Sequence, residues 1–211
     1  LLSLMSMSAF TMATNETGAS SSARNDFMRV FHLDCGRKYF SVAEIKSLID
    51  TASAANYTHI ELAVGNDSLR FLLDDMSVTV DGKTYASDDV KTQIHNGNVK
   101  YYDAGSVNEL SQSDMDAIIA YAQSKNISII PLINTPGHMD AILSAATSLT
   151  GVNCSAYDSV RTIDVANTTA VAFTQALLQK YINYFAGKGC GYFNMGADEY
   201  ANDKTDGFAA L

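Results

Sequence analysis

The sequence predicts an α/β fold: the N-terminal half of a (β/α)8 barrel, with strands one to four and their helices, truncated after the fourth strand. Three observations predict it. From Phe27 onward, short apolar runs alternate with segments of helical periodicity. No hairpin signal joins the main runs, so the strands are expected to be parallel with right-handed crossovers. Four such units with long loops use up the 211 residues, whereas a whole barrel takes roughly 200 to 250 at minimum. A doubly wound open sheet is the alternative. Asp34-Cys35-Gly36-Arg37-Lys38, after the first strand, is neither GxGxxG nor a P-loop, which removes the phosphate loop that would favour it.

The elements follow in order. Met28 to Cys35 is a compact apolar run closing on Gly36, the first strand. Ser41 with Glu44 three residues on forms a capping box, and Val42, Ile45, Leu48, Ile49 and Ala52 then share one helix face. His59 to Val64 is the second strand, ended by Gly65. A long insertion from Asn66 to about Gln112 holds a strand-like Met76 to Val80, a turn at Asp81-Gly82 and a second stretch ending in Tyr101-Tyr102. Ser113 is read as the cap of a helix with Met115, Ile118, Ile119 and Ala122 inward. Ile127 to Ile133 is apolar on both faces, as a buried parallel strand is. After a Pro136-Gly137-His138 loop, Asn167 to Phe185 reads as a helix and Gly191 to Met195 as the fourth strand. Residues 1–26 read as an apolar, Met- and Ser-rich leader followed by a polar linker. Residues 27–211 form the partial barrel domain.

Composition narrows the function. The net charge is -9 and 47% of residues are hydrophobic, which describes a globular, acidic chain. Such a surface repels nucleic acid and anionic membranes, and no apolar run reaches the length of a membrane span. A neutral ligand such as a sugar fits better. The three cysteines, Cys35, Cys154 and Cys190, show neither a disulfide framework nor zinc spacing. Cys35 and Cys190, in apolar strand-like runs, read as buried thiols. No metal-ligand cluster appears.

The strand ends share a chemical character. They offer Asp34 and Arg37, then Asn66 and Asp67, then Asn134 and His138, then the adjacent acids Asp198 and Glu199. In a parallel barrel these ends converge on one face. A forked guanidinium, an imidazole and a carboxylate pair suit sugar recognition and hydrolysis. Each residue also has a plainer reading: Arg37 in a surface ion pair, His138 as a hydrogen-bonded turn histidine, the acids as a helix cap. Adjacent residues of a regular strand point to opposite faces, so the chain must leave the pleat for both acids to face one sugar. Gly196 and Ala197 are small enough to allow that.

Four segments carry a family resemblance. They are Leu33-Asp34-Cys35-Gly36-Arg37-Lys38-Tyr39-Phe40-Ser41, the run from Gly65-Asn66-Asp67 to Asp75-Met76, Ile133-Asn134-Thr135-Pro136-Gly137-His138-Met139-Asp140-Ala141, and the run from Asn194-Met195-Gly196-Ala197-Asp198-Glu199 to Asn202-Asp203. In this order they resemble glycoside hydrolase family 20, the β-N-acetylhexosaminidases, and more closely the surface exo-β-N-acetylglucosaminidases of Gram-positive bacteria. The resemblance implies a retaining hydrolase for terminal β-linked N-acetylglucosamine, in which the substrate's own acetamido oxygen attacks and forms an oxazolinium ion. It implies Glu199 as general acid/base, Asp198 as the acid that orients the acetamido group, and Arg37 as the residue gripping the sugar hydroxyls. His138, Asn66 and Asn134 would support these from behind. Asn134 stands where the family often has an acid, and Glu61 to Asp67 replace a tryptophan- and histidine-rich segment. The implied mechanism needs no cofactor, and the implied location is extracellular or on a bacterial cell surface. An inactive truncated fragment or a glycan-binding relative is the alternative. As a half-barrel the chain would need its missing half, or self-association, to cover its edge strands.

Overall fold

The computed structural model describes residues 27–99, 108–156 and 160–200. The expected leader and linker, Tyr101-Tyr102 and the segment after Tyr200 lie outside the described residues.

Four parallel strands form the main sheet: β1 (Val30–Asp34), β2 (His59–Asn66), β6 (Ser128–Thr135) and β7 (Asn194–Gly196), side by side in chain order. Barrel strands run in such chain order, whereas the strand order of a doubly wound sheet reverses at a switch point. The result is an α/β fold with parallel strands and helices, consistent with part of a (β/α)8 barrel. A two-residue strand β3 (Ser68–Leu69) folds back antiparallel on β2. The insertion also contains a hairpin of β4 (Val78–Val80) and β5 (Lys83–Tyr85). Its turn is Asp81-Gly82, as expected, with φ of 51° and 77°. Positive φ at both central residues matches the right-handed twist of the flanking strands.

Among the described residues five helices accompany the sheet and its insertion. α1 (Val42–Ala54) starts at the expected capping box, Ser41 with Glu44. α3 (Gln112–Ser124) starts two residues earlier than expected. Ser111, not Ser113, is its cap, with Asp114 closing the box. α5 (Thr168–Gly187) is capped by Asn167, whose side chain accepts from the backbone N–H groups of Thr169 and Ala170. The sequence reading placed no helix at α2 (Ser87–Asn98) or α4 (Asp140–Thr150). Ile45, Ile49 and Ala52 of α1 and Met115, Ile118, Ile119 and Ala122 of α3 are buried in one core with Phe173, Leu177 and Leu178 of α5. Among the described residues no helix is long and apolar enough to cross a membrane.

Strand bounds also differ from the reading. β2 runs through Gly65 to Asn66, with an irregular register between Ala63 and Gly65. β6 is buried over Ile129–Asn134, as expected of a central strand. β7 is neither fully buried nor begun at Gly191. It starts at Asn194, and Tyr192 before it is 57% exposed. Cys35 is buried, but in the turn after β1, and its burial pushes the thiol pKa up. Cys190 is only half-buried and lies before β7, with a pKa raised by burial to about 11.

Candidate active site

Side chains alternate across each strand. One face of the sheet is apolar and meets the helices, through residues such as Leu62, Val64 and Ile133. On the other, His32 and Asp34, Leu132 and Asn134, and Asn194 and Gly196 line one open, mostly polar cavity of about 380 Å³. Ligand pockets run from about 300 to 1,000 Å³, so it has room for one sugar ring. Arg37, Asn66 and Asp198 also line it.

Arg37 is held by the acids of two strand ends. Its Nε donates to Asp67 Oδ2 at 2.7 Å and its Nη1 approaches Asp34 Oδ2 at 3.3 Å. Asp34 also accepts the backbone N–H groups of Gly36 and Arg37, which shapes the turn after β1. Asn66 Nδ2 donates to Asp34 at 2.8 Å, and Asn134 Nδ2 donates to Asn66 Oδ1 at 2.9 Å. The two asparagines therefore continue the Asp34 network across β2 and β6. Both are buried.

Asp67 anchors a second network. It sits at φ 62°, just past β2, and its backbone is tied to the loop after β6 by its N–H to the His138 carbonyl at 2.8 Å. Its Oδ1 lies 2.7 Å from His138 Nδ1. Burial works to raise the Asp67 pKa, but hydrogen bonds from Arg37 and His138, with their charges, outweigh it and hold the carboxyl below its usual value. The sequence places Asp67 at a strand end but does not mark it as a site residue. The signal was there: an acid directly after Gly65-Asn66, where β2 ends.

His138 then reaches Glu199, Nε2 to Oε2 at 2.7 Å, while Asp198 Oδ2 stands 4.0 Å from the same nitrogen. The tautomer follows from the partners. An ionised Asp67 only accepts, so Nδ1 carries a proton towards it. Arg37 Nη2, 3.1 Å from Nδ1, is then a close neighbour rather than a donor to it. The 2.7 Å contact between Nε2 and Glu199 requires one further proton, held by either the ring or the carboxyl. That proton can lie on Glu199 or pass to His138 with the hydrogen bond kept.

The two acids emerge from a strand end that leaves the pleat. Gly196, Ala197 and Glu199 have φ of 76°, 65° and 48°. A β-carbon at Gly196 would lie 1.7 Å from Asn134 Oδ1, so no side chain fits there. At Gly137 a β-carbon would lie 2.7 Å from the Asp198 carbonyl oxygen and 2.9 Å from that of Glu199. Glycine at 137 therefore lets the Pro136-Gly137-His138 loop close onto the acid pair. The Asp198 and Glu199 side chains are 61% and 50% exposed, accessible to a ligand.

The structure thus gathers Arg37, Asn66, Asn134, His138, Asp198 and Glu199 at one end of the sheet, with Asp34 and Asp67 between them. Among the described residues no group of three or more His, Cys, Asp and Glu is placed to hold a metal ion.

Residues 27–207 match the model for the catalytic domain of glycosyl hydrolase family 20. Two solved structures of StrH, a pneumococcal exo-β-D-N-acetylglucosaminidase, superpose with a TM-score of 0.82. They are 46% and 47% identical, covering 87% of this chain and 46% of theirs. Lacto-N-biosidase of Bifidobacterium bifidum is 32% identical over 90 residues, 43% of this chain and 8% of its own length. The chain therefore spans less than half the length of these relatives.

Proposed function

This chain belongs to glycosyl hydrolase family 20, and on that premise we propose that its site removes terminal β-linked N-acetylhexosamine, N-acetylglucosamine foremost, from glycans outside the cell or at its surface. In this reading β1, β2, β6 and β7 are the first four strands of a (β/α)8 barrel, and hydrolysis is retaining and substrate-assisted. The observation that carries it is the 2.7 Å contact joining Glu199 to a nearly buried His138, itself fixed by Asp67. It gives one exposed carboxyl a proton source and a proton sink.

The rest of the site fits this role. Arg37 lines the cavity together with Asp34 and Asp198, and the buried Asp67 pairs with it. That excess of negative charge disfavours an anionic ligand and favours a transition state that gains positive charge. Arg37 keeps its orientation through Asp34 and Asp67 and lines the cavity, where its guanidinium would meet the sugar hydroxyls. Asp198, adjacent to the acid, orients the acetamido group and stabilises charge growing on its nitrogen. The attacking oxygen is tethered to the reacting carbon, so little entropy is lost in reaching it. The related StrH structures fit as well: they are described as an exo-β-D-N-acetylglucosaminidase and in terms of N-glycan recognition and hydrolysis.

The test is hydrolysis of a chromogenic β-N-acetylglucosaminide by this chain and by Glu199→Gln, beside the β-glucoside that lacks the acetamido group. The expected result is turnover of the acetamido sugar alone, reduced in the variant by at least about 100-fold. A folded chain that binds N-acetylglucosamine without turning it over supports the second reading, a glycan-binding relative. The half-exposed Asp198 and Glu199 favour that reading, since a working acid pair is usually drier.

A further inference from the structure

Below the acid pair the interior face of the sheet carries a second hydrogen-bonded chain, which the proposed chemistry does not use. Glu61 of β2 accepts from Asn194 Nδ2 at 2.8 Å through Oε2, and its Oε1 lies 2.8 Å from His32 Nδ1 of β1. β2 and β7 are not neighbours; β6 runs between them. The Glu61 side chain therefore reaches across Ile130 and Leu132 of β6, whose register partners are Glu61 and Asn194. Asn194 Oδ1 in turn accepts the backbone N–H of Gly196 at 2.8 Å. Gly196 begins the turn that delivers Asp198 and Glu199, and the next N–H, of Ala197, goes to the Thr135 carbonyl at 2.7 Å.

An asparagine amide can face either way, and a carboxylate only accepts. With Glu61 on one side, the NH2 group must point at Glu61 and the carbonyl oxygen at Gly196. We infer that Glu61 is a positioning residue for the proposed hydrolysis: by fixing the Asn194 amide it holds the Gly196 N–H and so sets where the Asp198-Glu199 pair stands. This rests on the hydrolytic reading above, but the hydrogen-bond chain is measurable without it.

Three variants test it, each read by kcat and KM on the chromogenic β-N-acetylglucosaminide and by hydrogen exchange at the Gly196 amide. Glu61→Leu removes the acceptor. It is expected to lower kcat about tenfold, to keep KM within about twofold and to speed Gly196 exchange. Asn194→Asp sets two carboxylates against each other and is expected to lose at least as much. Glu61→Gln combined with Asn194→Asp restores a donor facing an acceptor. The glutamine oxygen accepts from His32, its NH2 donates to the new carboxylate at position 194, and that carboxylate accepts from Gly196. Activity within about threefold of the parent and slow Gly196 exchange are expected. Parental kcat and Gly196 exchange in Glu61→Leu would overturn the inference, as would a double variant no better than Asn194→Asp. If Glu61→Leu fails to fold, the other two variants decide. A parent without turnover, whose Gly196 exchange still follows the variants as described, would sink the hydrolytic reading and leave the orienting role standing.

Discussion

Asp67 accepts from both Arg37 and His138 while almost wholly buried, so its negative charge fixes a cation and an imidazole at once. Its folded pKa is depressed, which gives the sign of its pH dependence. The stabilisation is present above the unfolded carboxyl value of about 3.9 and is lost as pH falls through the lower folded value. Asp67→Asn should therefore melt below the parent at pH 7. The gap should narrow once pH falls below about 3.9, where the unfolded chain takes up the proton, and close as pH falls through the lower folded value. Melting temperatures of both proteins from pH 7 to pH 3 check this; a gap constant with pH would refute it. Gly137→Ala addresses the acid pair directly. The added β-carbon meets the carbonyl oxygens of Asp198 and Glu199 at under 3.0 Å, so one backbone must yield. A displacement near 1 Å can cost about 100-fold in rate, and that loss is expected in kcat on the acetamido glycoside. Much of this site was legible because the strand ends carry the polar residues. Asp67 was harder to see because its role depends on a positive φ and a buried contact made 71 residues away, with His138.

Legibility changes at the scale of elements, and capping explains how. α1 and α5 begin at side-chain caps, Ser41 and Asn167, and the sequence predicts their starts to within a residue or so. α3 was found, but two serines competed for its start, and the box that forms uses Asp114 where glutamate or glutamine is the usual signal. α2 and α4 follow Ala86 and Met139, which make no side-chain capping bond, and neither was found. In α4, buried alanines and the buried Asp140 also blur the polar face that periodicity needs. The described part of the insertion is packed into the fold. Phe71 is fully buried within it, with ring centroids of Tyr181 and Phe185 each 5.6 Å away, and the Tyr181 hydroxyl donates to the Phe71 carbonyl. Phe71→Ala would remove the ring that joins the insertion to α5, at a cost of about 3–5 kcal/mol. Denaturant unfolding should show that loss as a lower midpoint. A midpoint within error of the parent would mean that the insertion and α5 are not energetically joined.

The whole molecule poses a different problem, because the main sheet formed by the described residues is open. Among the described residues β1 pairs with β2 and β7 with β6, each on one side only. The contrast in burial follows: β2 and β6 are largely buried, whereas β1 and β7 are half-exposed. Large apolar side chains gather near these edges, with Phe27 75%, Met28 45% and Val30 41% exposed beside β1, and Tyr192 57% exposed before β7. Unpaired N–H and C=O groups flanked by such side chains are a template for another strand. We expect this chain on its own to self-associate at micromolar concentration, the range in which exposed edges aggregate. Val30→Lys should weaken the association, since a charge on an edge strand opposes pairing, and it should leave the melting temperature nearly unchanged because Val30 is not in the core. Sedimentation velocity over a dilution series reads the first effect and a thermal melt the second. A parent that stays monomeric throughout, and unfolds in one sharp cooperative transition, would show that these edges are satisfied without a second chain. The 46% and 47% identity to StrH structures more than twice this chain's matched length would then need a different account of how half the length holds the shared fold.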